Sequence, residues 1–185
     1  AHADELITRV NRDRTGPLAR RVIEALLNNE TYFFRDKALF DLLGQRALPD
    51  LARRRADTAR LSIWSVGCST GQEALSLAMM LAEQEPRWAG WRIDILATDV
   101  SEAVVDAARR GVYSQFQVQR GLGVMQMLRW FDETPEGWKV SDRLTRSITW
   151  RVHNLLDPLP GAPAFDLVLC RNVLLYFDAE RRGQA

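Results

Sequence analysis

The chain has 185 residues, with 25 basic against 24 acidic side chains and a formal net charge of +1. Its 46% hydrophobic content suits one globular α/β domain with a small appendage, and the balanced charge excludes bulk attraction to nucleic acid or an anionic membrane. Two cysteines, Cys68 and Cys170, are too few for a disulfide framework and lack metal-ligand spacing. No apolar run approaches the ~18–20 residues that span a bilayer, so a metal-free cytoplasmic protein is expected.

In chain order, Leu18, Val22, Ile23, Leu26 and Leu27 recur with helical spacing, and a second helix is predicted around Lys37–Leu43. A basic run, Arg53-Arg54-Arg55, follows; it suits a solvated face, or a surface that meets acidic helices. Residues 1–60 are read as a partial N-terminal helical region and linker, and residues 61–185 as an α/β domain. In that domain the first strand, Leu61–Val66, ends in the turn Gly67-Cys68-Ser69-Thr70-Gly71, and a largely buried helix is predicted over Gln72–Glu83. The second strand, Ile93–Thr98, ends at Asp99, and Ser101 caps a helix that Gly111 terminates. A third helical stretch covers about 123–131, and a small β excursion is placed at about 132–146. A third strand spans Ser147–His153 and leads to Asn154-Leu155. After a proline-rich turn over 158–163, the fourth strand, Phe165–Cys170, runs into Arg171-Asn172-Val173. Nearly continuous apolar strands alternating with helices predict a mostly parallel sheet covered on both faces. The chain closes in a helix after the fourth strand, where such sheets ordinarily continue, so the last strands are expected to be missing.

Ligands of open α/β sheets bind outside the carboxyl ends of the strands, where the strand order reverses. Gly67 and Gly71 let backbone approach a ligand closely, though such turns are common in strand-to-helix junctions. The turn has one glycine too few for the dinucleotide fingerprint, and no P-loop occurs, so a nucleoside without a phosphate fits better. Asp99 can accept from two ribose hydroxyls; helix capping is the competing role, for which Ser101 is better placed. Asn154 and Asn172 each offer a donor and an acceptor, suited to an adenine edge or an amino-acid tail, or to closing a turn.

The strings Asn29-Glu30-Thr31-Tyr32-Phe33-Phe34-Arg35-Asp36, Trp64–Glu73, Ala97–Ser101 and Cys170-Arg171-Asn172-Val173-Leu174-Leu175-Tyr176-Phe177 resemble the CheR-type chemotaxis receptor methyltransferases, in the same order along the chain. The resemblance implies a class I S-adenosylmethionine-dependent methyltransferase fold, Rossmann-like, behind a helical N-terminal region. It implies S-adenosyl-L-methionine as cofactor and S-adenosylhomocysteine as product, with contacts falling on Asn29, Thr31, Arg35, Gly67, Glu73, Asp99, Asn154, Leu155, Asn172 and Val173. It implies glutamate side chains in the cytoplasmic helical region of chemotaxis receptors as substrate. Two departures are visible: Ala74-Leu75 stands where members often carry Pro-Tyr, and the turn at Glu133–Gly137 is shorter than in members that grip a receptor's C-terminal tail. Tethering by that tail is therefore not expected.

A glutamate with a reference pKa near ~4.3 is already an anion at neutral pH, so transfer of a methyl group from a sulfonium needs no general base. Arg35 and Tyr176 are the candidates for holding the incoming carboxylate. Phe33 and Phe34 are expected in the core, and Cys68 and Cys170 as small residues of the pocket floor rather than redox groups. Competing readings are a class I methyltransferase of another substrate, and a module that docks or binds cofactor without turnover.

Overall fold

A computed structural model describes residues 3–14, 16–158 and 164–184. The proline-rich turn expected over 158–163 lies almost wholly outside the described residues. Contacts divide the chain into one unit ending at Glu30 and another beginning at Thr31.

The first unit holds two helices in contact, α1 (Ala3–Arg12) and α2 (Pro17–Leu26). Asp4 and Glu5 open α1 and Arg9 and Arg12 close it, each sign complementing the helix dipole. Pro17 starts α2, where its missing N–H costs nothing. The unit ends in a short turn in which the Glu30 N–H donates to Asn28 Oδ1 (3.2 Å).

The second unit begins with the 31–36 turn and continues through α3 (Lys37–Leu42), a wide π-helical turn (Leu43–Ala47) and α4 (Leu48–Arg54). Pro49 lacks the N–H that the next helical bond requires, and the Leu48 N–H reaches back five residues to the Leu43 carbonyl. Residues 31–60, expected with the N-terminal helices, thus pack with the α/β domain: Phe33, Phe40, Leu43 and Leu48 join the core that contains Leu75, Leu77 and Met79.

The remaining elements are β1 (Arg60–Val66), α5 (Gln72–Glu83), α6 (Glu85–Trp88), β2 (Arg92–Asp99), α7 (Glu102–Arg110), β3 (Val112–Tyr113), α8 (Gln115–Gln119), α9 (Val124–Trp130), β4 (Phe131–Thr134), β5 (Gly137–Val140), α10 (Asp142–Thr145), β6 (Ile148–Val152), β7 (Leu167–Cys170), a 3₁₀ turn (Leu174–Tyr176) and α11 (Ala179–Gln184). Four strands form a parallel sheet in the order β6-β2-β1-β7, which is the mostly parallel α/β architecture of a class I methyltransferase. All four carboxyl ends therefore lie along one edge. The chain leaves β1 for β2 and β6 on one side and returns to β7 on the other, so the order reverses at the β1–β7 junction.

Helix α5 is buried along most of its length, from Gln72 to Leu81, because small and apolar side chains surround it on nearly every face. The fourth strand starts at Leu167, later than expected; ahead of it Asp166 pairs with Ser62 of β1 through its backbone and its carboxylate. The β excursion is larger than expected, since β3 joins it to give an antiparallel sheet ordered β3-β5-β4. Thr134 pairs with Gly137, leaving only Pro135-Glu136 as the connecting loop. Among the described residues no helix is long and apolar enough to cross a membrane.

Candidate functional site

The switch point is built first from glycine. Gly67 follows β1 with φ +67°, a left-handed conformation that β-carbons disfavour, and a Cβ there would lie 2.3 Å from Val173 Cγ2. Gly67 and Val173 thus meet across the β1–β7 junction. Gly71 starts α5 with φ +97°, close under the Trp150 ring and Ala108. Between the glycines, Ser69 also takes a positive φ of 49°. Strain of this kind holds only when the surroundings fix it. Here they do: the Cys68 N–H donates to the Thr98 carbonyl (2.9 Å) and the Gly71 N–H to the Cys68 carbonyl (2.9 Å). The buried Tyr113 hydroxyl donates to the Thr70 carbonyl (2.8 Å).

Asp99 ends β2 with only 9% of its surface exposed. Its Oδ2 accepts from the Ser69 N–H (2.9 Å) and its Oδ1 from the Ser101 N–H (3.0 Å). Each oxygen has a second lone pair, so the carboxylate is fixed in orientation and still able to accept two more donors. The competing capping role goes to Ser101, whose hydroxyl accepts from the Val104 N–H at the start of α7.

On the other side of the Gly67–Gly71 turn stands Glu73, in the first turn of α5. Ser65 Oγ donates to its Oε1 (2.7 Å) and Arg171 Nη1 to its Oε2 (3.3 Å). Burial pushes the Glu73 carboxyl above its usual range, opposed by the Ser65 hydrogen bond and by the charges of Arg171 and Arg35. Arg171 also donates to the Arg35 carbonyl (3.2 Å) and pairs with the Asp36 carboxylate. The 31–36 turn is further held by the Phe34 N–H, which donates to Ser76 Oγ of α5 (2.9 Å). Phe33 is fully buried, edge-on to Tyr113 (5.3 Å) and Phe131 (5.5 Å), while Phe34 packs on Phe40. Tyr32 is covered by the Arg120 guanidinium at 4.4 Å and approached by Arg35 at 5.8 Å.

The outer strand ends are more open. Asn154 is exposed after β6, and its Oδ1 accepts from the Leu156 N–H (3.1 Å), so that oxygen closes a local turn; Leu155 beside it is half-buried. Asn172 is exposed after β7 with φ +57°. Tyr176 lies in the 3₁₀ turn, 60% exposed. The second unit therefore brings Gly67, Glu73, Asp99 and Val173 to one edge with the 31–36 turn that carries Thr31 and Arg35; Asn29 belongs to the first unit.

Sequence reasoning missed Arg171, Ser65 and Asp36. A charged side chain directly after an apolar strand was the available signal for Arg171. The basic run also resolves into ion pairs: Arg53 and Arg54 with Asp50 one turn earlier, and Arg55 with Asp166, which is distant in sequence. Burial raises both cysteine thiols, Cys68 most, and the adjacent carboxylates Asp99 and Glu73 push the same way. Among the described residues, no cluster of His, Cys, Asp and Glu is arranged to hold a metal.

The donor set fits a nucleoside carrying an amino-acid tail: a fixed carboxylate for a diol, a close-approach glycine turn, and a part-buried carboxylate at its far side. Residues 29–185 match the family described as CheR methyltransferase, SAM binding domain. The chain is similar to the chemotaxis protein methyltransferase 1 of Pseudomonas aeruginosa, 40% identical over 95% of this chain and 65% of the relative. It is also similar to the chemotaxis protein methyltransferase Cher2 of Pseudomonas putida (35% identical, 95% of this chain, 65% of the relative). A third relative, the chemotaxis protein methyltransferase of Vibrio parahaemolyticus, is 34% identical over 100% of this chain and 67% of its own length. The chain spans about 65% of the length of the first two relatives. With a family match over residues 29–185 and a parallel sheet whose switch point carries Gly67 and Asp99, the chain belongs to the CheR methyltransferase family, through its SAM-binding domain.

Proposed function

We propose that this chain carries the S-adenosylmethionine site of an enzyme that forms methyl esters on glutamate side chains of chemotaxis receptors. The observation that carries the cofactor reading is Asp99, fixed by two backbone N–H groups with lone pairs left for two ribose hydroxyls. Gly67 and Val173 would line the floor, Glu73 would face the ammonium of the methionine tail, and Asn154, Leu155, Asn172, Thr31 and Arg35 would complete the contacts. Bound, the cofactor supplies a methyl group on a sulfonium sulfur.

The protein's own part is to align and to exclude water. Merging a cation with a carboxylate gives neutral products, so a low-dielectric surround favours the reaction, and alignment carries much of the remaining rate. No side chain has to remove a proton. Arg35 and Tyr176 would hold the incoming carboxylate, one by charge and the other by its hydroxyl. Receptor recognition rests on kinship with proteins named for chemotaxis. The two-residue loop at Pro135-Glu136 supports docking on the receptor's helical region without a tethered tail. Such a reaction belongs in the cytoplasm.

The test is incubation of the chain with radiolabelled S-adenosylmethionine and a receptor cytoplasmic fragment. The expected product is base-labile label on glutamate, with S-adenosylhomocysteine formed in equal amount. Cofactor binding without any label transfer would replace the enzyme by a cofactor-binding module. Failure to bind S-adenosylhomocysteine at all would overturn the site itself.

A further inference from the structure

Arg171 joins three groups at the sheet edge, and the methyl-transfer chemistry does not use it. Its guanidinium, 17% exposed, reaches the Asp36 carboxylate, Glu73 Oε2 (3.3 Å) and the Arg35 carbonyl (3.2 Å). These partners come from two separate elements: the 31–36 turn and the first turn of α5. A planar guanidinium, with five donors in fixed directions, can join them as an ammonium could not.

We infer that Arg171 is a positioning residue, which orients and charge-balances Glu73 for a cationic ammonium group of the ligand and ties the Arg35 turn to the sheet edge. The inference rests on the cofactor reading above. Around Glu73 stand Ser65 from β1, Arg171 after β7, Arg35 and Asp36 from the 31–36 turn, and the thiols Cys68 and Cys170. Arg171 and Arg35 carry two positive charges against the two negative charges of Glu73 and Asp36. Replacing Arg171 by a neutral side chain leaves a surplus anion beside a carboxyl that burial already raises. Glu73 then takes up a proton more readily, and a protonated Glu73 offers an ammonium no charge. Its affinity for the ligand must fall as pH falls, in a range where the native protein is insensitive.

The experiment is titration of the full chain with S-adenosylhomocysteine from ~pH 6 to ~pH 8, comparing the native protein with Arg171→Gln and Arg171→Lys. The native affinity is expected to be flat. Arg171→Gln is expected to bind about tenfold more weakly at the acid end than at the alkaline end, because Glu73 without its cationic partner takes up a proton more readily as pH falls. Arg171→Lys restores the charge without the fork and should give a flat profile at a few-fold lower affinity. A uniform loss in Arg171→Gln at every pH, or no loss, overturns the inference while leaving the cofactor site standing. So does a sloping profile in Arg171→Lys, which is read by itself if Arg171→Gln fails to fold. A native chain that binds no S-adenosylhomocysteine overturns the cofactor reading instead.

Discussion

The two central strands and the two outer strands of the sheet end in different ways. After β1 and β2, Cys68, Ser69 and Asp99 are buried and tied to backbone groups. After β6 and β7, Asn154, Asn172 and Tyr176 are exposed. The central ends are fixed by the fold and, on the proposed function, would hold the part of the ligand that never changes; at the outer ends these exposed groups would serve the rest of it, while Arg171 after β7 stays tied to Glu73 and Asp36. Perturbing the centre should therefore cost binding and stability together, and perturbing the rim should separate them.

Asp99→Ala is the largest expected break. It removes the proposed nucleoside acceptor and also orphans the Ser69 and Ser101 N–H groups, at about 1–3 kcal/mol each where they are buried. Calorimetry should record at least a hundredfold loss of S-adenosylhomocysteine affinity, about 2.7 kcal/mol, with a lowered denaturant midpoint. Near-normal affinity would sink the ribose assignment. Gly67→Ala comes next. The left-handed backbone costs about 1–2 kcal/mol and the Val173 clash about 1–3 more. Val173→Ala in the same chain should recover part of that loss; equal instability of single and double variants would show that the clash is not its cause.

This contrast also explains what the sequence could tell. β1 and β2 are legible because long runs of β-branched and apolar residues, ending in glycine or aspartate, state both the element and its ligand edge. β3 is invisible: Val112-Tyr113 is too short for any periodicity and exists as a strand only through pairing with Trp138 and Lys139. The place of the 31–36 turn was legible only by resemblance. What ties it to the end of β7 is Arg171, whose partners Glu73 and Asp36 lie 98 and 135 residues away in sequence, a distance over which no local pattern speaks. Phe33 announces burial by its type, but its edge contacts with Tyr113 and Phe131 depend on the antiparallel sheet being formed.

Tyr176→Phe sharpens the rim half of the comparison. Losing the proposed hydroxyl contact to the substrate, worth about 1 kcal/mol, should lower turnover roughly fivefold. Cofactor affinity should stay as it was, since the ring is 60% exposed and no part of the central ends. Methylation kinetics with a receptor fragment decide the first point and calorimetry the second. Unchanged kinetics would remove Tyr176 from the mechanism, and a fall in affinity would move it into the cofactor site.

Asn154→Ala should have the smallest effect. Its Oδ1 already accepts from the Leu156 N–H, and the Asn154 carbonyl accepts from the Asp157 N–H (2.9 Å), so much of its bonding stays within its own loop. The Nδ2 group and the second lone pair of Oδ1 remain for an adenine edge. Because Asn154 is exposed, water replaces what the variant loses, and the loop costs about 0.5–1 kcal/mol at most. S-adenosylhomocysteine affinity should fall by less than about fivefold. A loss as large as that of Asp99→Ala would erase the distinction between centre and rim, and would require the 154 loop to reorganise around the ligand. In that case amide exchange across residues 153–157 would slow on binding, whereas a loop already set by its own hydrogen bonds would exchange at the same rate with ligand or without it.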